Sequence, residues 1–349
     1  MISIIIPIWN ESKFIGRILE SILNQKNNDQ RVEIIISDGI SDDGTRDIIQ
    51  DYIKSNNNII LIDNPGRIVS VGFNMALSVA RGDIIIRIDG HSEIPKDYLY
   101  SCISVLKNVE ADCVGGVTKH KSYSIIGNAI SIAQTSRFGV GGVLFRTGSK
   151  HGQYVDTLAF GAYKKEVFEK IGGYDEELVR NQDDEFNFRL IQNGGKIWLD
   201  PSIRSAYYSR STFLGLFKQY FQYGFYKIRV IQKRKSFSSF RHIVPAVFIL
   251  TLFICFIFAI LKISNWPFHI SIGLYIIVNL FAAFYEILMK NLNNLTEHKI
   301  QSSLLSLFLL PFAYSILHFS YGLGSITGLV YFWNKWNDIE IKDSHFIRF

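Results

Sequence analysis

The sequence predicts an α/β domain built on a parallel sheet, followed by about three membrane helices, and three observations lead to that fold class. Strand-like apolar runs alternate with helix-spaced apolar positions from Ser3 to His91, as in parallel sheets with helices on both faces. From about Ile243 onward long apolar runs dominate, whereas the preceding chain mixes charged and apolar residues like a soluble domain. The 349 residues, 48% of them hydrophobic, also exceed what one core usually organises.

The first element is a strand, Ser3 to Ile8, which is expected in place of a signal peptide because no basic leader or cleavage site surrounds it. After Trp9-Asn10-Glu11-Ser12, the residues Phe14, Ile15, Ile18, Leu19, Ile22 and Leu23 recur on one helical face, with Ser12 the expected N-cap. Val32 to Ser37 is the second strand. It ends in the polar turn Asp38-Gly39-Ile40-Ser41-Asp42-Asp43-Gly44-Thr45, and Ile48, Ile49, Tyr52 and Ile53 mark the next helix. Asn58 to Ile62 is a third strand, and Ile68 to Ala80 reads as a third helix that Gly82 terminates. The fourth strand, Asp83 to His91, is a buried apolar run whose far end delivers Asp89, Gly90 and His91.

In open parallel sheets, ligands bind beyond the carboxyl ends of the strands, which is where Glu11, Asp38, Asp89 and His91 fall. A carboxylate and an imidazole two residues apart can share one divalent cation, the carboxylate suiting Mg²⁺ or Mn²⁺ and the imidazole Mn²⁺, while Gly90 lets a ligand approach the backbone. Each residue also has a plain alternative. Asp-Gly-His makes an ordinary turn, Asp38 suits a turn before Gly39, and Glu11 suits the first turn of a helix. Taken together, three acids at one sheet edge call for a cation or hydrogen-bond donors.

The net charge of +6 is uneven: no Asp or Glu lies between Asp200 and Glu286, a stretch that holds Arg204, Arg210, Lys218, Lys227, Arg229, Lys233, Arg234, Lys235 and Arg241. That block runs into an apolar span, so its expected partner is membrane lipid and not nucleic acid. Within it, Phe213, Phe217, Tyr220, Phe221 and Phe225 alternate with Lys218 and Lys227 as in an interfacial amphipathic segment. Three scattered cysteines make neither a disulfide framework nor a zinc site, which fits a reducing compartment.

The ordered set Ser3-Ile4-Ile5-Ile6-Pro7-Ile8-Trp9-Asn10-Glu11, Asp38 to Thr45, and Asp89-Gly90-His91 resembles the successive nucleotide-sugar motifs of family 2 glycosyltransferases. Phe160-Gly161-Ala162-Tyr163, Gly172 to Glu176, Asn181 to Phe186 and Gln219 to Gly224 continue the likeness, which is greatest to bacterial membrane glycosyltransferases of succinoglycan-type exopolysaccharide assembly. The resemblance implies a Rossmann-like GT-A domain. It further implies that Asp38 contacts the nucleobase, that Pro7 and Glu11 line the base and ribose pocket, and that Asp89 with Gly90 holds the ribose and diphosphate. Asp89 and His91 would hold Mg²⁺ or Mn²⁺, with His91 standing where the family often has a second aspartate. Asp183 would be the general base, its partner acid replaced by Gln182, and Gly161, Asp184, Glu185, Gln219 and Tyr223 would lie on the acceptor side. Asp183 to Glu185 also read as an ordinary acidic helix start.

Ser122 to Tyr154 reads as an interfacial helix, a gating loop or a surface excursion. Ile243 to Leu261 and Pro267 to Leu288 are each expected to cross a bilayer. Leu304 to Phe332 exceeds one span and is interrupted by Pro311, Gly322, Gly324 and Gly328, so it reads as a kinked helix with an interfacial piece or as a tight pair. Glu286 and His318 beside these runs suggest polyprenyl-phosphate or interhelix contacts, or an end that snorkels. The expected organisation is a catalytic domain over 1–210, an amphipathic basic segment over 211–242, a membrane region over 243–333 and a polar tail over 334–349.

The expected activity is inverting, metal-dependent transfer of a sugar from a nucleotide-sugar donor, UDP-linked, to a lipid-linked saccharide acceptor. The enzyme would be a multi-pass inner-membrane protein with its catalytic domain cytoplasmic. A processive polysaccharide synthase and a non-catalytic nucleotide-sugar-binding scaffold stay open as alternatives, and the sequence sets no oligomeric state.

Overall fold

In the computed structural model, which describes residues 1–26, 30–236, 239–292 and 297–342, β1 (Ile2–Ile8) is buried at every position. The chain divides into two compact units. One comprises Met1–Lys119, Gly148–Tyr208 and Ile339–Phe349, the other His120–Thr147 and Ser209–Asp338.

The first unit begins as the apolar periodicity dictates. α1 (Ile15–Leu23) turns Ile15, Ile18, Leu19 and Ile22 inward, and β2 (Val32–Asp38), α2 (Thr45–Ser55), β3 (Ile59–Asp63), α3 (Val69–Val79) and β4 (Ile84–Arg87) follow in alternation. Ser12 is not the cap: α1 starts after Phe14 with no side-chain cap, and the Ser12 N–H donates to Asp43 instead. β4 is also shorter than expected. The Ser92 N–H and hydroxyl both donate to the Asp89 carbonyl, so the chain turns back at Asp89 into β5 (Ser92–Glu93). There follow α4 (Tyr98–Asn108), β6 (Cys113–Lys121), α5 (Ile125–Thr135), α6 (Arg137–Val140), α7 (Leu144–Thr147), β7 (Gln153–Tyr154), β8 (Ala162–Lys164), α8 (Lys165–Ile171), α9 (Gln182–Gln192) and β9 (Ile197–Tyr208).

The sheet order is β3-β2-β1-β4-β8-β6-β9-β5, with β7 beside β9. Its first four strands are parallel, as predicted, but β8 runs antiparallel to β4 and β6, and β5 and β7 run antiparallel to β9. The sheet is therefore mixed. The three-residue β8 is too short to carry a period-2 signal of its own. β1 lies between β2 and β4, the place where the strand order reverses, and ligands bind beyond the carboxyl ends of strands at such a point.

The second unit is helical. It holds α5, α6 and α7, then α10 (Phe213–Arg234), a 3₁₀ turn (Phe240–His242), α11 (Val244–Ile260), α12 (Trp266–Leu292) and α13 (Glu297–Tyr331). Ile130 and Ala133 of α5 are fully buried in one core with Leu216, Leu310 and Tyr314, so Ser122 to Tyr154 is not a surface excursion. Among the described residues two stretches, Trp266–Met289 and Leu305–Tyr331, are long and apolar enough to cross a membrane. The third expected span is α11, whose 17 residues reach about 26 Å, short of the ~30 Å hydrocarbon core.

α13 is one unbroken helix, and its glycines are contact points, not breaks. A Cβ at Gly324 would stand 2.1 Å from the Phe221 carbonyl oxygen, and one at Gly224 would stand 2.0 Å from that of Tyr321, so bare backbone lets α10 and α13 touch. His318 and Asn279 are interhelix contacts. His318 meets the Tyr275 hydroxyl at 3.0 Å and the Phe138 carbonyl at 2.9 Å, and the Asn279 amide donates to the Pro311 carbonyl at 3.1 Å.

Candidate active site at the carboxyl ends of β1, β2 and β4

The loop after β1 is fastened to the loop after β2 by short polar contacts. The Asn10 N–H donates to the Ser41 hydroxyl at 2.8 Å, the Asn10 amide donates to Asp42 at 2.9 Å, and the Glu11 N–H donates to the Thr45 hydroxyl at 2.9 Å. Burial works against the charge on Asp43, but hydrogen bonds from Thr45 and Ser12 hold its carboxyl down at about 2. Asp38 is fully buried with both oxygens engaged, one by the Ser41 hydroxyl and the other by the Ser41 N–H and Arg46. It braces the loop, while the exposed group beside it is the Trp9 ring, with the Arg67 guanidinium 5.6 Å from its centroid. Asn10, Ile40 and Arg67 all have positive φ (54°, 57° and 54°), a conformation most costly for the β-branched Ile40. Backbone outliers of this sort gather at binding sites, where the surroundings hold them.

At the end of β4 three charged side chains converge. Arg87 donates to Asp89 at 2.8 Å, stands 3.6 Å from Asp183 and lies with its guanidinium 5.8 Å from the Tyr174 ring centroid. Burial opposes the charge on Arg87, but Asp89, Tyr174 and Asp183 more than offset it and hold the guanidinium protonated. Burial alone would push the Asp89 carboxyl up; Arg87, His91 and Arg180 together hold it below the usual carboxylate range. His91 Nδ1 lies 2.8 Å from Glu11 Oε1, and the edge of Tyr207 packs on the ring at 4.9 Å between centroids.

This donor set fits a divalent cation. Asp89 supplies a hard oxygen and His91 an imidazole whose Nδ1 is already occupied, leaving Nε2 as the available ligand atom. Among the described residues no group of three or more His, Cys, Asp and Glu side chains forms a metal cage. Two protein ligands are what a site completed by substrate phosphate oxygens and water requires.

Asp183 opens α9 beneath the left-handed Asn181 (φ 63°), with 39% of its side chain exposed and one oxygen accepting the Asp184 N–H. Glu185, expected on the acceptor side, is fully buried and paired with the buried Arg189 at 2.9 Å, which also donates to the Ile171 and Gly173 carbonyls. It anchors the helix. Asp184, like Asp183, is half-buried in the first turn of α9. Gly161 is a packing glycine, since a Cβ there would stand 2.7 Å from Cys113 Sγ. Pro7 lies within β1 opposite Ser37. Gln219 and Tyr223 belong to the second unit, where Gln219 donates to the Tyr223 hydroxyl and accepts from Gln134.

Trp9, Arg67 and Arg87 received no role from the sequence. Arg87 carried a usable signal, because a strand's period of two places it on the same side as Asp89.

The family model for Glycosyl transferase family 2 matches residues 3–172. The chain is 31% identical over 274 residues to the succinoglycan biosynthesis protein ExoA of Rhizobium meliloti (strain 1021), an alignment covering 78% of this chain and 81% of that one. It is 32% identical over 240 residues to the dolichyl N-acetyl-alpha-D-glucosaminyl phosphate 3-beta-D-2,3-diacetamido-2,3-dideoxy-beta-D-glucuronosyltransferase of Methanococcus voltae, covering 66% and 74% of the two chains. Among solved structures, the mannosyltransferase PcManGT from Pyrobaculum calidifontis, in complex with GDP-Man and Mn²⁺, shares the fold with a TM-score of 0.58 and 14% identity. That match covers 94% of this chain and 86% of the other.

Proposed function

The chain belongs to glycosyl transferase family 2, and from that premise we propose that it moves one sugar from a nucleoside-diphosphate donor, UDP-linked, to a lipid-linked saccharide with inversion. The observation that carries this reading is the convergence of Asp89 and Asp183 on Arg87, with His91 two residues beyond Asp89, past the strands that flank the switch in the sheet. The exposed Trp9 ring beneath Arg67 offers the nucleobase a stacking surface, with Pro7 and the Asp38-braced loop beside it. Asp89, with the bare backbone of Gly90 next to it, takes the ribose and the diphosphate. The GDP-Man and Mn²⁺ named for PcManGT support a nucleoside-diphosphate donor and a divalent cation, and the lipid-phosphate acceptor named for the Methanococcus enzyme supports a lipid-linked acceptor.

Asp89 and His91 would hold Mg²⁺ or Mn²⁺, which when bound neutralises charge on the departing diphosphate, an effect generally worth several kcal/mol. Asp183 accepts the proton of the acceptor hydroxyl as that oxygen attacks the anomeric carbon. Arg87, held at fixed distance from both Asp89 and Asp183, keeps the donor-side and acceptor-side carboxylates in register. Asp184 is assigned to the acceptor. Supporting single transfer over processive synthesis, only two stretches among the described residues are long enough to span, which leaves little to line a channel. The acid-free basic block before α11 supports a multi-pass protein of the inner membrane with its catalytic unit in the cytoplasm.

Membranes carrying the protein, incubated with lipid extract and a panel of radiolabelled nucleotide sugars, test the reading. One donor is expected to label the organic-solvent-extractable fraction. Label released as free sugar from every donor, with none in lipid, would overturn it.

A further inference from the structure

We propose that Glu11 is the positioning residue of the cation site, fixing the tautomer and direction of His91 so that Nε2 faces the metal. The proposal rests on the reading of Asp89 and His91 as the cation pair. It deepens that reading by giving Glu11 a role other than the nucleoside contact expected from sequence.

An ionised carboxylate only accepts hydrogen bonds, so the 2.8 Å contact between Glu11 Oε1 and His91 Nδ1 requires a ring proton on Nδ1, and in the neutral imidazole that ligates a metal this puts the lone pair on Nε2. The arrangement is built from several sides. The Glu11 N–H is spent on the Thr45 hydroxyl, and its carbonyl accepts from the Phe14 and Ile15 N–H groups at 2.9 Å each, so its backbone cannot swing. A Cβ at Gly90 would lie 3.2 Å from Glu11 Cγ and 2.7 Å from Ile8 Cγ2, so the glycine of the Asp-Gly-His triplet makes the room through which Glu11 reaches the ring. Tyr207 closes the ring's other side edge-on. Side-chain exposures of 23% for His91 and 19% for Glu11 mark a partly enclosed pair, not a surface contact.

Carboxylates that hold a ligating histidine in this way typically change metal affinity by about 10- to 100-fold when removed. The pairing also gives the triplet's histidine a reason. With an aspartate at position 91, two carboxylates would oppose each other across this contact; with histidine, the same Glu11 becomes a hydrogen-bond partner.

The full chain in detergent, with UDP as nucleotide probe, supplies two measurements: Mn²⁺ affinity by titration of the free Mn²⁺ electron paramagnetic resonance signal, and UDP affinity in chelator. Glu11→Ala is expected to weaken Mn²⁺ binding by about 10- to 100-fold and to leave chelator-resistant UDP binding unchanged. The near-isosteric Glu11→Gln, which can still accept from Nδ1, should lose less and covers the case in which the alanine variant does not fold. If His91→Ala weakens Mn²⁺ binding but neither Glu11 variant does, the positioning role is wrong while the cation pair stands. If His91→Ala also leaves Mn²⁺ affinity unchanged, the cation pair itself is wrong. Equal losses of UDP affinity with and without Mn²⁺ in Glu11→Ala would make Glu11 a nucleoside contact.

Discussion

Asp183 and Glu185 lie two residues apart in the same helical turn, yet the structure separates their roles by burial. Asp183 is 39% exposed beside Arg87, whereas Glu185 is sealed against Arg189. Asp183→Asn should therefore fold normally, keep donor affinity and lose turnover by roughly 10² to 10⁴, the range a general base supplies. Glu185→Gln leaves Arg189 buried and unpaired, so it should lower stability by about 3–5 kcal/mol; activity and thermal midpoint measured on both variants separate the two effects. Near-normal turnover in Asp183→Asn would place the base elsewhere. The sequence made Asp89, His91 and the acidic turn legible as candidates, since a strand end and a helix start are periodic signals. It did not tell Glu185 from Asp184, because burial of Glu185 depends on Arg189 meeting the carbonyls of Ile171 and Gly173, a contact made by folding. Nor did it show that Ser41 and Arg46 engage both oxygens of Asp38, contacts likewise made by folding.

At the scale of elements, the strands and helices up to β4 were readable to within a few residues, whereas the glycines of α13 were not. In sequence a glycine interrupts; in α13 Gly324 is the place where the Phe221 carbonyl of α10 makes contact. Gly324→Ala forces backbone against backbone and should cost about 1–3 kcal/mol. Gly273→Ala in α12, where a Cβ would meet nothing within 4 Å, should be neutral or stabilising by up to about 1 kcal/mol. Thermal unfolding in detergent compares them, and equal midpoints would contradict the contact. At the end of β6, His120 Nδ1 lies 2.9 Å from the Ser209 hydroxyl and 3.1 Å from Gln134 Oε1. Burial, reinforced by the Arg146 charge, brings its pKa down to about 3. The unfolded chain then binds a proton near pH 6.5 that the folded chain refuses, so stability is intact above that pH and falls as pH drops from about 6.5 toward 3, by at most about 1.4 kcal/mol per unit. His120→Gln should flatten that part of the stability–pH curve; an unchanged slope would contradict the assignment.

For the whole molecule, composition and apolar runs led to an expected catalytic domain over 1–210 and a membrane region over 243–333, and the chain divides into two compact units that do not meet at one boundary. Residues 120–147 leave the first unit and the chain returns to it at Gly148, an excursion that no linear reading of domain limits registers. The antiparallel half of the sheet escaped for a related reason: β8 is three residues long and is ordered by the neighbours it joins, β4 and β6. What holds the account together is the claim that Asp89 and His91 receive a cation together with the donor diphosphate. Transfer of labelled sugar from the accepted donor to lipid, measured with Mn²⁺, with Mg²⁺ and in excess chelator, for the unmodified chain and for Asp89→Ala, tests that claim most directly. The account predicts transfer that is lost in chelator, returns when Mn²⁺ is restored, and is absent in Asp89→Ala under every condition; undiminished transfer in chelator, or an active Asp89→Ala enzyme, would contradict it.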